Sequence, residues 1–88
     1  MTLLERCDPY LLTLRAAARQ PGAGQLDTAR HHVFKAIEAG DAPRALEWLL
    51  AAETAIAGLQ SDAKAPATKA LATLREILTH ANGGDHGR

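Results

Sequence analysis

The chain has 88 residues, ten basic and ten acidic side chains, and a hydrophobic content of 47%. That length leaves room for one domain with a thin core and none for a second. Balanced charge and ordinary apolar content exclude a disordered polyelectrolyte, and a pI near 6.9 is not that of a dedicated nucleic-acid binder.

The single Cys7 has no partner for an intramolecular disulfide, so the fold needs no oxidising compartment. Glu5, Arg6 and Asp8 interrupt any apolar segment of a secretory signal. The longest apolar run, Trp48 to Ala52, is far too short to cross a membrane. A cytoplasmic, membrane-free setting is expected.

Alanine and leucine dominate, valine is represented only by Val33, and no segment alternates with period two. These are helix formers without the residue types that strands favour. The chain is therefore expected to be all-α, an antiparallel bundle of three to four helices. The first helix has two candidate starts. Thr2 with Glu5 makes a capping box, and Asp8-Pro9 supplies a cap followed by proline at the first helical position. Leu4, Cys7, Leu11, Leu14 and Ala18 form one stripe, compatible with a helix kinked near Pro9 or with a turn followed by a helix from Pro9 to Arg19. Residues 20–24, Gln-Pro-Gly-Ala-Gly, break it.

A second helix is expected from Leu26 or Asp27 to about Ala39, with Leu26, Ala29, Val33, Ala36 and Ile37 inside and Phe34 on the flank. Gly40 suits the left-handed position that ends a helix, and Asp41 caps the next one with Pro43 in its first turn. So short a joint folds helices two and three into a central αα-hairpin. The third helix, about Ala42 to Gly58 or Leu59, carries one stripe of Ala45, Leu49, Ala52, Ile56 and Leu59. A second stripe holds Leu46, Leu50 and Ala57, with Trp48 on another flank. Residues 60–65 are polar and linker-like, and Pro66 is expected to open a fourth helix with Ala67, Ala70, Leu71, Leu74, Ile77, Leu78 and Ala81 inside. Asn82-Gly83-Gly84 stops that helix, giving a domain over residues 1–82 and a disordered tail over 83–88.

Chemistry is sparse. His31 and His32 are adjacent and point about 100° apart on a helix, and Glu76 with His80 offers only two ligands, so no metal is expected. The only serine, Ser61, lies in the linker without a nearby histidine, and the Pro-Gly loop lacks the lysine of a phosphate cradle. No catalytic residue, cofactor or metal site is expected, and the protein is not read as an enzyme.

Charge is uneven along the chain: Glu38, Asp41, Glu47, Glu53 and Asp62 make an acidic middle between basic ends. Arg15 and Arg19 share a face that Arg30 could join. A small dimeric regulator touching DNA through that patch is the alternative reading, weakened by the lack of stacking aromatics. The broad apolar surface of the third helix carries more weight. Leu46, Trp48, Leu49 and Leu50 are the candidate partner-binding residues, with Trp48 open between core and interface anchor. Self-association is compatible with the same surface.

Residues 36–48, Ala-Ile-Glu-Ala-Gly-Asp-Ala-Pro-Arg-Ala-Leu-Glu-Trp, resemble the centre of the small helical-hairpin co-chaperones of type III secretion needle subunits. The shared features are the turn Gly40-Asp41-Ala42 and Trp48 seven residues after Asp41; the opening Met1-Thr2-Leu3-Leu4-Glu5 is also similar to such a protein. The resemblance implies a bacterial cytoplasmic protein that, with a tetratricopeptide-like chaperone, keeps a needle subunit soluble before export. The Pro-Gly loop, Pro43 and the fourth helix depart from that pattern. The stretch also resembles half a tetratricopeptide repeat, through Gly40-Asp41, Ala45, Leu49 and Ala52, with His32 where an apolar residue is usual. Both resemblances imply binding to protein surfaces.

Overall fold

The structure, a computed structural model, describes residues 2–83, which form four helices and, among those residues, no strand. They are α1 (Leu3–Ala17), α2 (Gly24–Glu38), α3 (Ala42–Ala57) and α4 (Ser61–Gly83). The fold is the all-α bundle that the composition and periodicity predict.

Thr2 decides where α1 begins. Its hydroxyl accepts from the Glu5 backbone N–H at 3.1 Å, and Glu5 Oε1 accepts from the Thr2 N–H at 2.8 Å, a complete capping box. The helix then continues through Pro9, so the competing start at Asp8 is not used. Pro9 leaves the Glu5 carbonyl without its helical donor. Both residues are exposed, which lets water take that place.

At the joint of α2 and α3, Gly40 has φ +75°. Its N–H donates to the Ile37 carbonyl, and the Asp41 N–H donates to that of Ala36, the pair of bonds that closes a Schellman motif. The Asp41 carboxylate then accepts from the Arg44 N–H at 3.1 Å and caps α3. One residue that frees the backbone and one that caps it turn the chain round in three positions.

Two boundaries differ from expectation. Helix α2 starts at Gly24, earlier than Leu26, with no side-chain cap; Asp27 instead pairs with Arg30. Helix α4 starts at Ser61, so residues 61–65 are helix and not linker, and Pro66 lies inside it. The Gln60 carbonyl accepts from the Ala63 and Lys64 N–H groups, and Leu59, Ala67 and the half-buried Ala63 line the inner side. Asp62 and Lys64 are exposed on the solvent face of that amphipathic turn. Pro66, like Pro9, costs one hydrogen bond on an exposed side. At the far end α4 includes Gly83, which was assigned to the tail; residues 84–88 lie outside the described residues.

Each helix packs on two others: α1 on α2 and α4, α3 on α2 and α4. The pairs α1–α3 and α2–α4 do not touch, so the helices stand at the corners of a square. Gln20 Oε1 accepts from the Gln60 N–H at 3.1 Å, tying the α1–α2 and α3–α4 joints together at one end of the bundle. Neighbouring helices are therefore antiparallel, while α1 and α3 run the same way at opposite corners. The core holds Leu14, Leu26, Val33, Leu49, Leu74 and Leu78 at its centre, with alanines between them that let the helices approach.

Candidate interaction surface

The four candidate residues of α3 do not share a face. Leu49 is 0% exposed and belongs to the core, with Ala45, Ala52 and Ile56. Successive residues turn by about 100°, so Trp48 falls on the flank beside α2 while Leu46 and Leu50 fall on the other. Leu46 is half-buried and Leu50 is 60% exposed.

Trp48 is half-buried against the core and lies face to face with the His32 imidazole of α2, ring centres 4.0 Å apart and planes 11° from parallel. Around the hairpin turn, His32 lies as far before Gly40 as Trp48 lies after it. In an antiparallel hairpin such positions meet at the same height. That symmetry is the signal for the pair; a reading of His32 as a possible metal ligand or as a misfit in a tetratricopeptide-like helix does not use it. His31 stands edge-on to His32 at 6.1 Å and faces the α1–α2 side.

The indole separates two hollows in the α2–α3 surface. The larger, about 900 Å³, is lined by Gly22, Gly24, Gln25, Thr28, Ala51 and Thr54 beside Trp48. The smaller, about 270 Å³, lies toward the hairpin turn, between His32, Lys35, Asp41 and Arg44. The Pro-Gly loop thus does more than end α1: residues without bulky side chains leave the ring open along one edge. Gly24 and Ala51 have no sequence signature beyond their small size, and periodicity alone did not single them out.

Elsewhere, Cys7 is buried, and that burial raises its thiol pKa while Arg6 offsets part of the effect. A thiol held neutral in a core is a poor nucleophile. Arg30 is held by Asp27 at 3.1 Å, and Glu53 by Arg75 at 3.0 Å. Among the described residues no three metal-ligating side chains come together. No described helix is long and apolar enough to cross a membrane. No protein-family model matches the chain, and no curated protein or solved structure matches it significantly.

Proposed function

We infer that the protein is a non-enzymatic interaction module that receives a helix of a partner protein in the α2–α3 groove beside Trp48. The observation that carries this reading is the half-buried indole, fixed on one face by His32 and bordering a hollow of about 900 Å³ walled by glycine, alanine and threonine. An aromatic ring already held in place loses little freedom on binding, and small neighbours let a partner backbone come close. Such a groove suits an apolar side chain projecting from a helix.

The resemblance at residues 36–48 suggests the biological form of this activity. The protein would act in the bacterial cytoplasm as a co-chaperone or secretion-complex subunit, alongside a tetratricopeptide-like chaperone and a needle subunit. Of the residues that carry the resemblance, Trp48 borders this groove, and Asp41 lines the smaller hollow on the other side of the indole. Nucleic-acid binding is not favoured, because Arg30 is engaged with Asp27 and leaves Arg15 and Arg19 as a sparse pair.

Ala51→Arg tests the reading without touching the core, since Ala51 is exposed and lines the groove. Wild type and variant serve as baits in parallel, with circular dichroism confirming equal helix content. The expected result is a protein captured by wild type and depleted at least tenfold with the variant. Equal recovery by both baits contradicts the groove as the binding surface.

A further inference from the structure

The two hollows beside Trp48 differ in charge. No charged side chain lines the larger one, whose walls are glycine, alanine, threonine, Gln25 and the indole. The smaller is bordered by His32 and Lys35 of α2, Arg44 of α3 and Asp41 at the turn. Asp41 is committed to its own helix, since its Oδ1 accepts from the Arg44 backbone N–H. Lys35 has Glu38 at 3.6 Å, but both side chains of that pair are more than half exposed and Glu38 does not line the hollow. Glu47, three residues on from Arg44, is exposed and lines neither hollow. The Arg44 guanidinium itself forms no ion pair among the described residues. The groove is thus uncharged and small-walled at one end and cationic at the other.

Spacing joins the two ends. Thr28 and Ala51 line the larger hollow, and Lys35 and Arg44 line the smaller. Lys35 is seven residues after Thr28, and Arg44 is seven residues before Ala51. Both helices therefore set the hollows two turns apart, about 10 Å along the axis. A helix laid along the groove returns to the same face after seven residues, to within about 20°. One face of such a helix reaches both hollows.

We propose that the smaller hollow is a subsite for an acidic side chain: it takes the carboxylate of a Glu or Asp on the partner helix, seven residues from the apolar side chain that fills the larger hollow. This subsite rests on the reading that a partner helix lies in the α2–α3 groove. A guanidinium presents a planar pair of donors that matches a carboxylate, and Lys35 adds a second cation across the hollow. The stacked rings of His32 and Trp48 wall the subsite and keep part of its rim from water. Charge then selects among apolar helices, because a basic side chain at the same position meets Lys35 and Arg44 and is rejected.

The test is a selection from a display library of neutral alanine–glutamine helices of about 22 residues, randomised along one face. Wild type, Arg44→Glu and Ala51→Arg serve as baits, each with helix content checked by circular dichroism. An acidic residue suits the first turn of α3, so Arg44→Glu reverses the charge without weakening the helix. Wild type is expected to enrich helices with a large apolar residue and, seven residues from it, Glu or Asp. Arg44→Glu is expected to keep the apolar preference and to exchange the acid for Lys or Arg. An acidic peptide from the wild-type selection is expected to bind Arg44→Glu about tenfold more weakly, a gap that narrows as salt is added. An apolar preference that Ala51→Arg abolishes, without an acid that responds to Arg44→Glu, overturns the subsite and leaves the groove standing. Peptides enriched equally by wild type and Ala51→Arg, or no enrichment by wild type, overturn the groove and the subsite with it.

Discussion

His32 and Trp48 stack face to face at 4.0 Å across the α2–α3 hairpin, so the only tryptophan is clasped by a histidine from the neighbouring helix. The contact fixes the ring orientation at the mouth of the groove and protects one indole face from water. Stacked aromatic pairs of this kind contribute about 0.5–1.5 kcal/mol beyond their buried area.

Replacing His32 with alanine is therefore expected to lower the unfolding free energy by about 0.5–1.5 kcal/mol and to shift tryptophan emission to longer wavelength. Urea denaturation followed by fluorescence reads both from the single indole. Unchanged emission would mean that His32 does not shield the ring in solution.

Leu49 and Leu50 are neighbours in sequence and opposites in environment. Leu49→Ala opens a cavity at the centre of the bundle and is expected to cost about 3–5 kcal/mol. Leu50→Ala removes an exposed side chain and is expected to change stability by no more than about 0.5 kcal/mol. Chemical denaturation of the two variants, compared at low protein concentration, checks the contrast.

The hairpin turn depends on backbone conformation more than on space. A Cβ placed at Gly40 meets nothing within 4 Å, yet φ there is +75°. Gly40→Ala is accordingly expected to cost about 1–2 kcal/mol, all of it from the left-handed backbone. Asp41→Ala removes the cap of α3 and is expected to cost about 1 kcal/mol. Thermal melts of both variants measure the two effects separately.

Two groups give the stability a defined pH dependence. Burial raises the Cys7 pKa above its ordinary value near 9.0, so the folded state keeps a proton that the unfolded chain loses. Stability from this group is complete below that value and falls as pH rises through the folded pKa. Native Cys7 is expected to resist a thiol reagent at neutral pH and to react fully after denaturation. Glu5 behaves in the opposite sense, because hydrogen bonds from the Thr2 backbone and hydroxyl lower its pKa from the ordinary 4.5. Its contribution to the α1 cap is present above that value and is lost as pH falls through the lowered pKa. An NMR titration of the Glu5 side chain reads that shift directly.

The fold was legible because its signals are local. Leu26, Ala29, Val33, Ala36 and Ile37 recur at helical spacing and are all buried, and Gly40-Asp41 forms the turn its residue types require. Residues 60–65 misled because polarity marks exposure and not conformation: Asp62 and Lys64 stand on the outer face of a helical turn whose inner side is Leu59, Ala63 and Ala67. Pro66 was expected to mark a helix start, but its missing N–H is tolerated further in where the freed carbonyl is solvated. The surface was less legible still. Leu46, Trp48, Leu49 and Leu50 are consecutive or nearly so, yet they point into three environments, which only the packing of α3 between α2 and α4 decides. His32, Gly24 and Ala51 acquire meaning only from the groove they line or border.

Photo-crosslinking in living cells of the native host tests the central claim most directly. One photoreactive residue replaces Ala51, in the groove, and a second replaces Thr79, exposed on α4, a helix that does not touch α2. The expected result is an adduct with a different protein from position 51 and none from position 79. Adducts of equal yield from both positions, or none with another protein from position 51, would contradict the groove beside Trp48 as the place where this protein meets its partner.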